Sequence, residues 1–395
     1  MKTMLSIILR EWKRIFRLPV FYVVGIIVPP ILFLFYGYLY QNKFAENLPV
    51  AVWNDDQSEI SRKLIDMMNA SKSIKITDVV HSEEEIKNLI LSNKVLGAVY
   101  IPKNLEADIK NNKTSKIVVY TNASSLVASK MIYKDAAGII IKGGLAAVLQ
   151  KLTKQGMPIQ QASALIQPVK LNTYTLYNPE YNYQEYLTPG LISVGIQMAF
   201  IVIAVLLLNW ELKTQSLTEL LSISNYSASN IIIGKLLAWL SLSWIHFAMI
   251  QWIVFPLFNL EREGTILNFF LLYNALVIAC ISFGMLVSAL FEDVMLCADV
   301  ALFFTSPAFV FSGFTFPRAA MPWYDQYYAA IMPYTYFLDG FLKGYFMQLP
   351  LEYFSKEMWI LGLMSLIFIS LTIFIYQFKI NKFKQLTIRI SFKTS

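Results

Sequence analysis

The sequence predicts a polytopic α-helical membrane protein of six transmembrane helices, with an α/β extracytoplasmic domain inserted between the first and second spans. Three observations lead there. Of its residues 56% are hydrophobic and 15% charged, with a mean hydropathy of +0.51, a balance far from that of water-soluble domains. Six apolar runs are each long enough to cross a hydrocarbon core of about 30 Å at a rise of ~1.5 Å per residue. Basic residues gather at the two ends, as Arg10, Lys13, Arg14 and Arg17 and as Lys379, Lys382, Lys384 and Arg389, a positive-inside signal that puts both termini in the cytoplasm. The net charge of +7 therefore reports topology and not affinity for nucleic acid, for which no motif is present. Cys280 and Cys297 fall within or beside apolar runs and make no disulfide framework.

Residues 1–18 form an interfacial amphipathic helix, with Leu5, Ile8, Trp12, Ile15 and Phe16 on one face and Arg10, Lys13, Arg14 and Arg17 on the other. The run from Val20 to Tyr40 is longer than the apolar region of a signal peptide and has no small-residue cleavage site after it. It is the first span, within residues 19–40, and Pro29-Pro30 interrupts its hydrogen-bond ladder.

Residues 41–185 change to the composition of an α/β domain. Leu48 to Trp53, Ile74 to Val80, Leu96 to Ile101 and Ile117 to Tyr120 have strand patterns; Ser58 to Met68 and Ser82 to Leu91 have helical ones, the second opening on an N-cap serine and a capping-box Glu85. Such alternation argues for a small sheet covered by helices. Ala123 to Gln155 reads as one long helix and Met157 to Ile166 as another. Within the first of these, Ala136 to Leu149 is apolar but short, and it carries Lys142 and Gly143-Gly144. A seventh span would also set the two basic termini on opposite sides. The domain is placed outside, because long domains translocate largely regardless of charge.

Spans two to six lie within residues 186–378, as Leu187 to Asn209, Ile231 to Phe258, Leu267 to Phe291, Val294 to Phe316 and Met358 to Phe378. The polar loop 210–230 between the second and third spaces Leu217, Leu220 and Leu221 three and four apart and puts Glu211, Thr218 and Glu219 on other sides. That pattern suits a short amphipathic helix lying in the interface. Segment 317–350 is dense in Trp323, Tyr324, Tyr327, Tyr328, Tyr334, Tyr336 and Tyr345, as a re-entrant or interfacial segment would be. Residues 379–395 are a basic cytoplasmic tail.

No catalytic constellation is present. With His81 and His246 the only histidines, neither a paired-histidine metal site nor a Ser-His-Asp triad can be assembled readily. Gly234-Lys235 lacks the upstream glycine of a phosphate-cradling loop. Any ATP chemistry belongs to another chain.

Arg10-Glu11 to Arg17-Leu18-Pro19, Tyr177-Asn178-Pro179-Glu180, Thr188-Pro189-Gly190-Leu191, Thr218-Glu219-Leu220-Leu221, Gly234-Lys235, Ser312 to Pro317 with Met321-Pro322, and Met332-Pro333-Tyr334-Thr335-Tyr336 occur in a fixed order. In that order and spacing the chain resembles the type 2 ABC-transporter permeases, in the subgroup with a large extracytoplasmic domain after the first span. It departs from them at Leu18, where an acidic residue is usual, and at Glu211-Leu212-Lys213, where an Arg-rich start is usual.

The resemblance implies an exporter subunit in the bacterial inner membrane that moves an amphipathic compound, drug-like or lipid, out of the cytoplasm or inner leaflet. It implies a second permease copy, membrane lipid and a cytoplasmic ATP-binding-cassette subunit as partners, with a periplasmic adaptor a further candidate. No cofactor is expected in this chain; ATP and Mg are held by the partner. By the same resemblance Glu211, Thr218, Glu219, Leu220 and Leu221, with Arg10 and Arg14 of the amino-terminal helix, form the coupling surface for that subunit. The other reading of the two arginines is contact with anionic lipid. Glu219 is then expected to meet a basic or donating surface there, and Leu220 and Leu221 to supply packing.

His246, Gln251, Asn274 and Asp299 stand out within the spans as candidates for a transport path. The plainer alternatives are an interhelical hydrogen bond for His246 and a solvated first-turn carboxylate for Asp299. A membrane-anchored receptor or secretion scaffold, binding a partner through the outer domain without an ATPase, is the alternative function.

Overall fold

Residues 2–43, 46–169, 171–179, 182–260 and 264–394 are described in a computed structural model of the protein. Glu180 of the Tyr177-Asn178-Pro179-Glu180 motif lies outside the described residues, as does the side chain of Arg389. The chain divides into two units, one of Met1–Lys43 with Leu176–Ser395 and one of Phe44–Thr175.

Helix α1 spans Lys2–Arg17. Its inward stripe is Ile7, Arg10, Glu11 and Ile15, at the three- and four-residue spacing of one helical face. Leu5, Leu9 and Phe16 remain uncovered. This reverses part of the expected arrangement: Arg10, assigned to the outer basic face, points into the protein because partners for it exist there. The first span, Pro19–Leu39, starts on Pro19 and contains a π-helical turn at Val23–Ile27. Pro29 and Pro30 lack N–H groups and crowd the carbonyls four residues before them, Gly25 and Ile26, both inside that turn. The wider turn absorbs the misfit, so the helix continues instead of breaking.

The second unit carries strands β1 (Leu48–Asn54), β2 (Ile74–Val79), β3 (Gly97–Ile101) and β4 (Val118–Thr121), and helices α2 (Glu59–Asn69), α3 (Glu83–Leu91), α4 (Leu105–Lys110), α5 (Leu126–Lys154) and α6 (Ile159–Ile166). The sheet order is β2-β1-β3-β4, with β1 parallel to both neighbours and β4 antiparallel on the edge. Alternating side chains serve two cores. Val50 and Val99 join Leu64, Met68, Ile132 and Ala136 on one face; Ala51 and Ala98 join Val80, Ile86 and Val95 on the other. Ser82 caps α3 by accepting from the Glu85 N–H at 3.2 Å. Glu85 reaches back past the cap to the N–H of His81, at 2.8 Å, one residue earlier than a capping box would have it. This unit ends at Thr175, and the second span is already helical from Tyr183, ahead of the domain end read at residue 185.

The remaining spans are Tyr183–Lys213, Ala228–Leu257, Ile266–Leu290, Val294–Phe311 and Leu351–Gln385, which with the first make six helices among the described residues long and apolar enough to cross a membrane. The second is the bundle's centre. Of its most apolar stretch 83% is buried, against 17% for the sixth. Gly284 of the fourth span lets it approach the second closely: a Cβ there would lie 2.4 Å from Ala204 Cβ and 2.8 Å from the Ile201 carbonyl oxygen. Between the second and third spans lies helix α7, Leu217–Ser224. Before the sixth lie α8, Trp323–Ile331, and α9, Pro333–Phe341.

The aromatics of segment 317–350 divide. Trp323, Tyr324 and Tyr327 are exposed, whereas Tyr334 and Tyr345 are core residues, and Tyr334 Oη bonds the Gly190 carbonyl at 3.1 Å and Ser193 Oγ at 2.9 Å. An interfacial belt thus accounts for three of the seven, with Tyr328 and Tyr336 half-buried between the two groups. The last helix runs unbroken over Ser355–Thr394, through most of the segment read as a basic tail. From Gln377 to Thr394 the chain has no Gly or Pro to stop it.

Candidate functional site

At one end of the bundle, α1, α7 and the adjoining ends of the second and third spans meet in a buried ion cluster. Glu211 sits in the last turn of the second span, where the helix dipole disfavours an anion. It is fully buried. Three cations offset both costs. Arg10 grips the carboxylate in a two-pronged fork, Nη1 to Oε1 and Nη2 to Oε2, each at 2.9 Å. Lys235 Nζ, itself fully buried in the third span, lies 2.6 Å from Glu211 Oε1 and 2.6 Å from Glu11 Oε1. Arg14 pairs with Glu211 and, at 3.0 Å, with Glu11, and its guanidinium stands 5.4 Å from the centre of the Phe21 ring. Ser216 Oγ donates to Glu211 Oε2 at 2.6 Å.

The cluster reaches the surface at one point. Arg10 is 3.5 Å from Glu219 on α7 and donates to the Ser216 carbonyl at 3.3 Å. Burial works against the charge on Arg10, but Glu211, then Glu11 and Glu219, outweigh it and hold its pKa above the ordinary value. The arginine stays ionised.

Helix α7 turns Leu220, Leu221 and Ser224 inward and leaves Thr218, Glu219 and Ser222 exposed. Leu220 and Leu221 are therefore part of this chain's own core and are not free to pack into another subunit. Glu211, expected on an outer side of the loop, is likewise internal, and Arg10 and Arg14 face it. The reason is common to all five: within one chain the leucines pack into the core and Glu211 pairs with both arginines, with only Arg14 Nη2 among their nitrogens buried and without a partner in the described residues. Of the expected coupling residues only Thr218 and Glu219 present themselves outward. The turn after α7 is left-handed at Asn225 and at Tyr226, a costly conformation for tyrosine. The sixth span holds it: Gln377 Nε2 donates to the Tyr226 carbonyl at 3.2 Å, Gln377 Oε1 accepts from the Ala228 N–H at 2.8 Å, and Lys384 lies 5.3 Å from the Tyr226 ring centre.

The intramembrane candidates are not assembled into one site. His246 is buried between Phe33 of the first span and Phe200 of the second, its ring stands near the backbone of Gly25, and its Nδ1 has no hydrogen-bond partner among the described residues. The prolines leave that backbone free. The Gly25 carbonyl would ordinarily receive an N–H from residue 29, or from residue 30 in a π turn, and both are proline. The imidazole of the third span stands beside that carbonyl. Asn274 accepts from Trp244 Nε1 at 2.8 Å and donates to the Phe270 carbonyl at 2.6 Å, linking the third and fourth spans at a half-buried position. Asp299 is exposed on the fifth span, a turn beyond Asp293, which caps that helix. Gln251 is buried in a π-helical turn at Ile250–Val254.

Glu11 and Lys235 are the members of the cluster that sequence reasoning passed over. A signal existed for Lys235: an ionisable residue inside an apolar span needs a partner. Gly234 beside it has a related purpose, since a Cβ there would come within 2.7 Å of Ile7 Cγ2 and push α1 off the third span.

Residues 19–374 match the family model described as ABC-2 family transporter protein. The chain is similar to "Probable multidrug ABC transporter permease YbhR" of Escherichia coli strain K12, 21% identical over 313 residues that cover 79% of this chain and 82% of the relative. It is also similar to "ABC transporter G family member 20" of Dictyostelium discoideum, 26% identical over 249 residues, 62% of this chain. That match spans only about a third of the Dictyostelium protein, 32% of its length.

Proposed function

The chain belongs to the ABC-2 family of transporter proteins and is a multi-pass membrane protein, and from this premise we propose that it is the permease subunit of an exporter, working as a pair of permeases with a cytoplasmic ATP-binding subunit on each. Its cargo is an amphipathic compound leaving the cytoplasm or inner leaflet. The multidrug name of the Escherichia coli relative favours that class of cargo. Both termini are cytoplasmic in this reading, the inserted α/β unit is extracytoplasmic, and Leu5, Leu9 and Phe16 of α1 rest in membrane lipid. The setting is a bacterial inner membrane.

The observation that carries the proposal is the ion cluster. Through Arg10 it joins the exposed Glu219 to α1 and to the ends of the second and third spans. A push on α7 is then delivered to buried charges whose separation is costly, and so to two spans together. Thr218 and Glu219 are the points of contact with the ATP-binding subunit, and α7 is the coupling helix. Glu219→Lys is expected to reduce co-purification of that subunit and cargo-stimulated ATP turnover, by the ~2–5 kcal/mol typical of reversing one partner of a partly buried contact. Lys213→Glu, whose native ammonium lies over the Trp210 ring, should do much less. Wild-type behaviour of Glu219→Lys in both assays would remove α7 from the coupling path. Absence of any nucleotide-binding partner after mild solubilisation would favour the receptor or scaffold reading.

A further inference from the structure

Within the inserted unit, α2, α4 and α5 enclose a cleft of about 710 Å³. That falls among ligand pockets, which run to roughly 300–1,000 Å³. Its apolar lining includes Leu64, Ile109 and Ala147, with the flexible side chain of Met67, 43% exposed, beside them. At one end the helices touch, since a Cβ on Gly143 would lie 2.3 Å from Leu64 Cδ2. Ala146 and Ala147, one turn on, are too small to fill the space and leave the cleft open.

The rim is charged, and its charges do not cancel. Glu59 is taken by Lys63 at 2.6 Å and Glu106 by Lys110 at 2.7 Å. The hydrogen bond from Lys63 comes first in holding Glu59 below the usual carboxylate range, and that from Lys110 does the same for Glu106. Two lysines of α5 are left. Lys151 Nζ donates to neutral acceptors, Asn112 Oδ1 at 2.6 Å and the Ile109 carbonyl at 3.2 Å. Lys154 is exposed and is in no ion pair among the described residues. They are successive on one face of the helix, so the cleft has an apolar wall and a cationic lip.

We propose that this cleft binds an anionic amphiphile, its apolar body against Leu64, Ile109 and Ala147 and its carboxylate or phosphate head between Lys151 and Lys154. The occupant is a free single molecule and not a lipid of the bilayer, because the pocket closes at Gly143 and has room for one ligand of drug size. This goes beyond the transport reading and does not depend on it. Binding is measured without nucleotide or partner, so failure of one leaves the other standing.

The test uses the full chain in nanodiscs of zwitterionic lipid. Cys280 and Cys297 are buried, so Gln150→Cys at the cleft can be labelled selectively with an environment-sensitive fluorophore. Ser92→Cys, exposed at the end of α3, is the control. Dodecanoate should give a saturable response at position 150 and none at 92, and dodecyltrimethylammonium, with the same tail length and the opposite charge, should bind more weakly. Lys154→Glu should weaken dodecanoate binding by about twofold to fivefold, the scale of one exposed ion pair, and Ala147→Trp should abolish it. Where Ala147→Trp does not fold, the surface change Lys154→Glu decides alone. Equal responses to the two amphiphiles, equal responses at the two labels, or indifference to Lys154→Glu would each overturn the proposal.

Discussion

Glu211 illustrates how a single residue changes meaning between sequence and structure. In the sequence it follows an apolar run and precedes Leu212 and Lys213, so it reads as the first polar residue outside the membrane. In the fold it is the anion around which Arg10, Arg14 and Lys235 gather. Helical periodicity places Arg10 and Arg14 on one face but cannot tell whether that face meets water or a carboxylate brought from some two hundred residues away. Only the pairing of a buried lysine with a buried glutamate discloses it. Glu211→Gln should therefore cost about 3–5 kcal/mol, the scale of stranding the other members of a buried ion pair, and lower the thermal midpoint of the purified protein. Glu211→Gln combined with Lys235→Met should be less harmful than the single change, because the stranded cation goes with it. A double variant no more stable than the single one would show that Lys235 is held by Glu11 alone.

At the scale of elements, legibility followed period. β2 alternates, β1 and β3 are short apolar runs buried on both faces, and α2 and α3 open on serine caps, so β1 and β3 lie within a residue of where the pattern puts them. The apolar spans are legible for the same reason. What escaped was whatever depends on neighbours. The π turn at Val23–Ile27 follows from Pro29 and Pro30, but whether such a span kinks, breaks or widens depends on what donates to the orphaned carbonyls. The tyrosines of segment 317–350 look alike in sequence, yet Tyr334 ends in the core because Gly190 and Ser193 offer its hydroxyl two partners. Likewise α7 is visible as an amphipathic helix, but its leucine face belongs to this chain's own core and not to a partner's groove.

For the whole molecule, the proposed orientation makes a direct prediction. With both native cysteines buried, Asn111→Cys in the inserted unit should react with a membrane-impermeant maleimide in intact, outer-permeabilised cells, and Lys384→Cys should react only after lysis. Protection of position 111 before lysis would reverse the placement of the inserted unit and the export direction with it. The contacts of the third span with α1 and the first span bear on motion in that same membrane. A plank held by one bolt swings; held by two, it cannot turn about either. The third span is fastened to α1, just ahead of the first span, by Lys235 to Glu11, it meets the first span further along where His246 packs on Phe33, and Phe258 fits against Gly37 beyond both. These two spans should travel as one stiff panel, leaving hinge motion to joints elsewhere in the bundle. Spin labels at Tyr38→Cys and Ile253→Cys, both exposed, should then report the same separation with and without nucleotide on the assembled complex, and a change between the two states would mean that the second bolt slips.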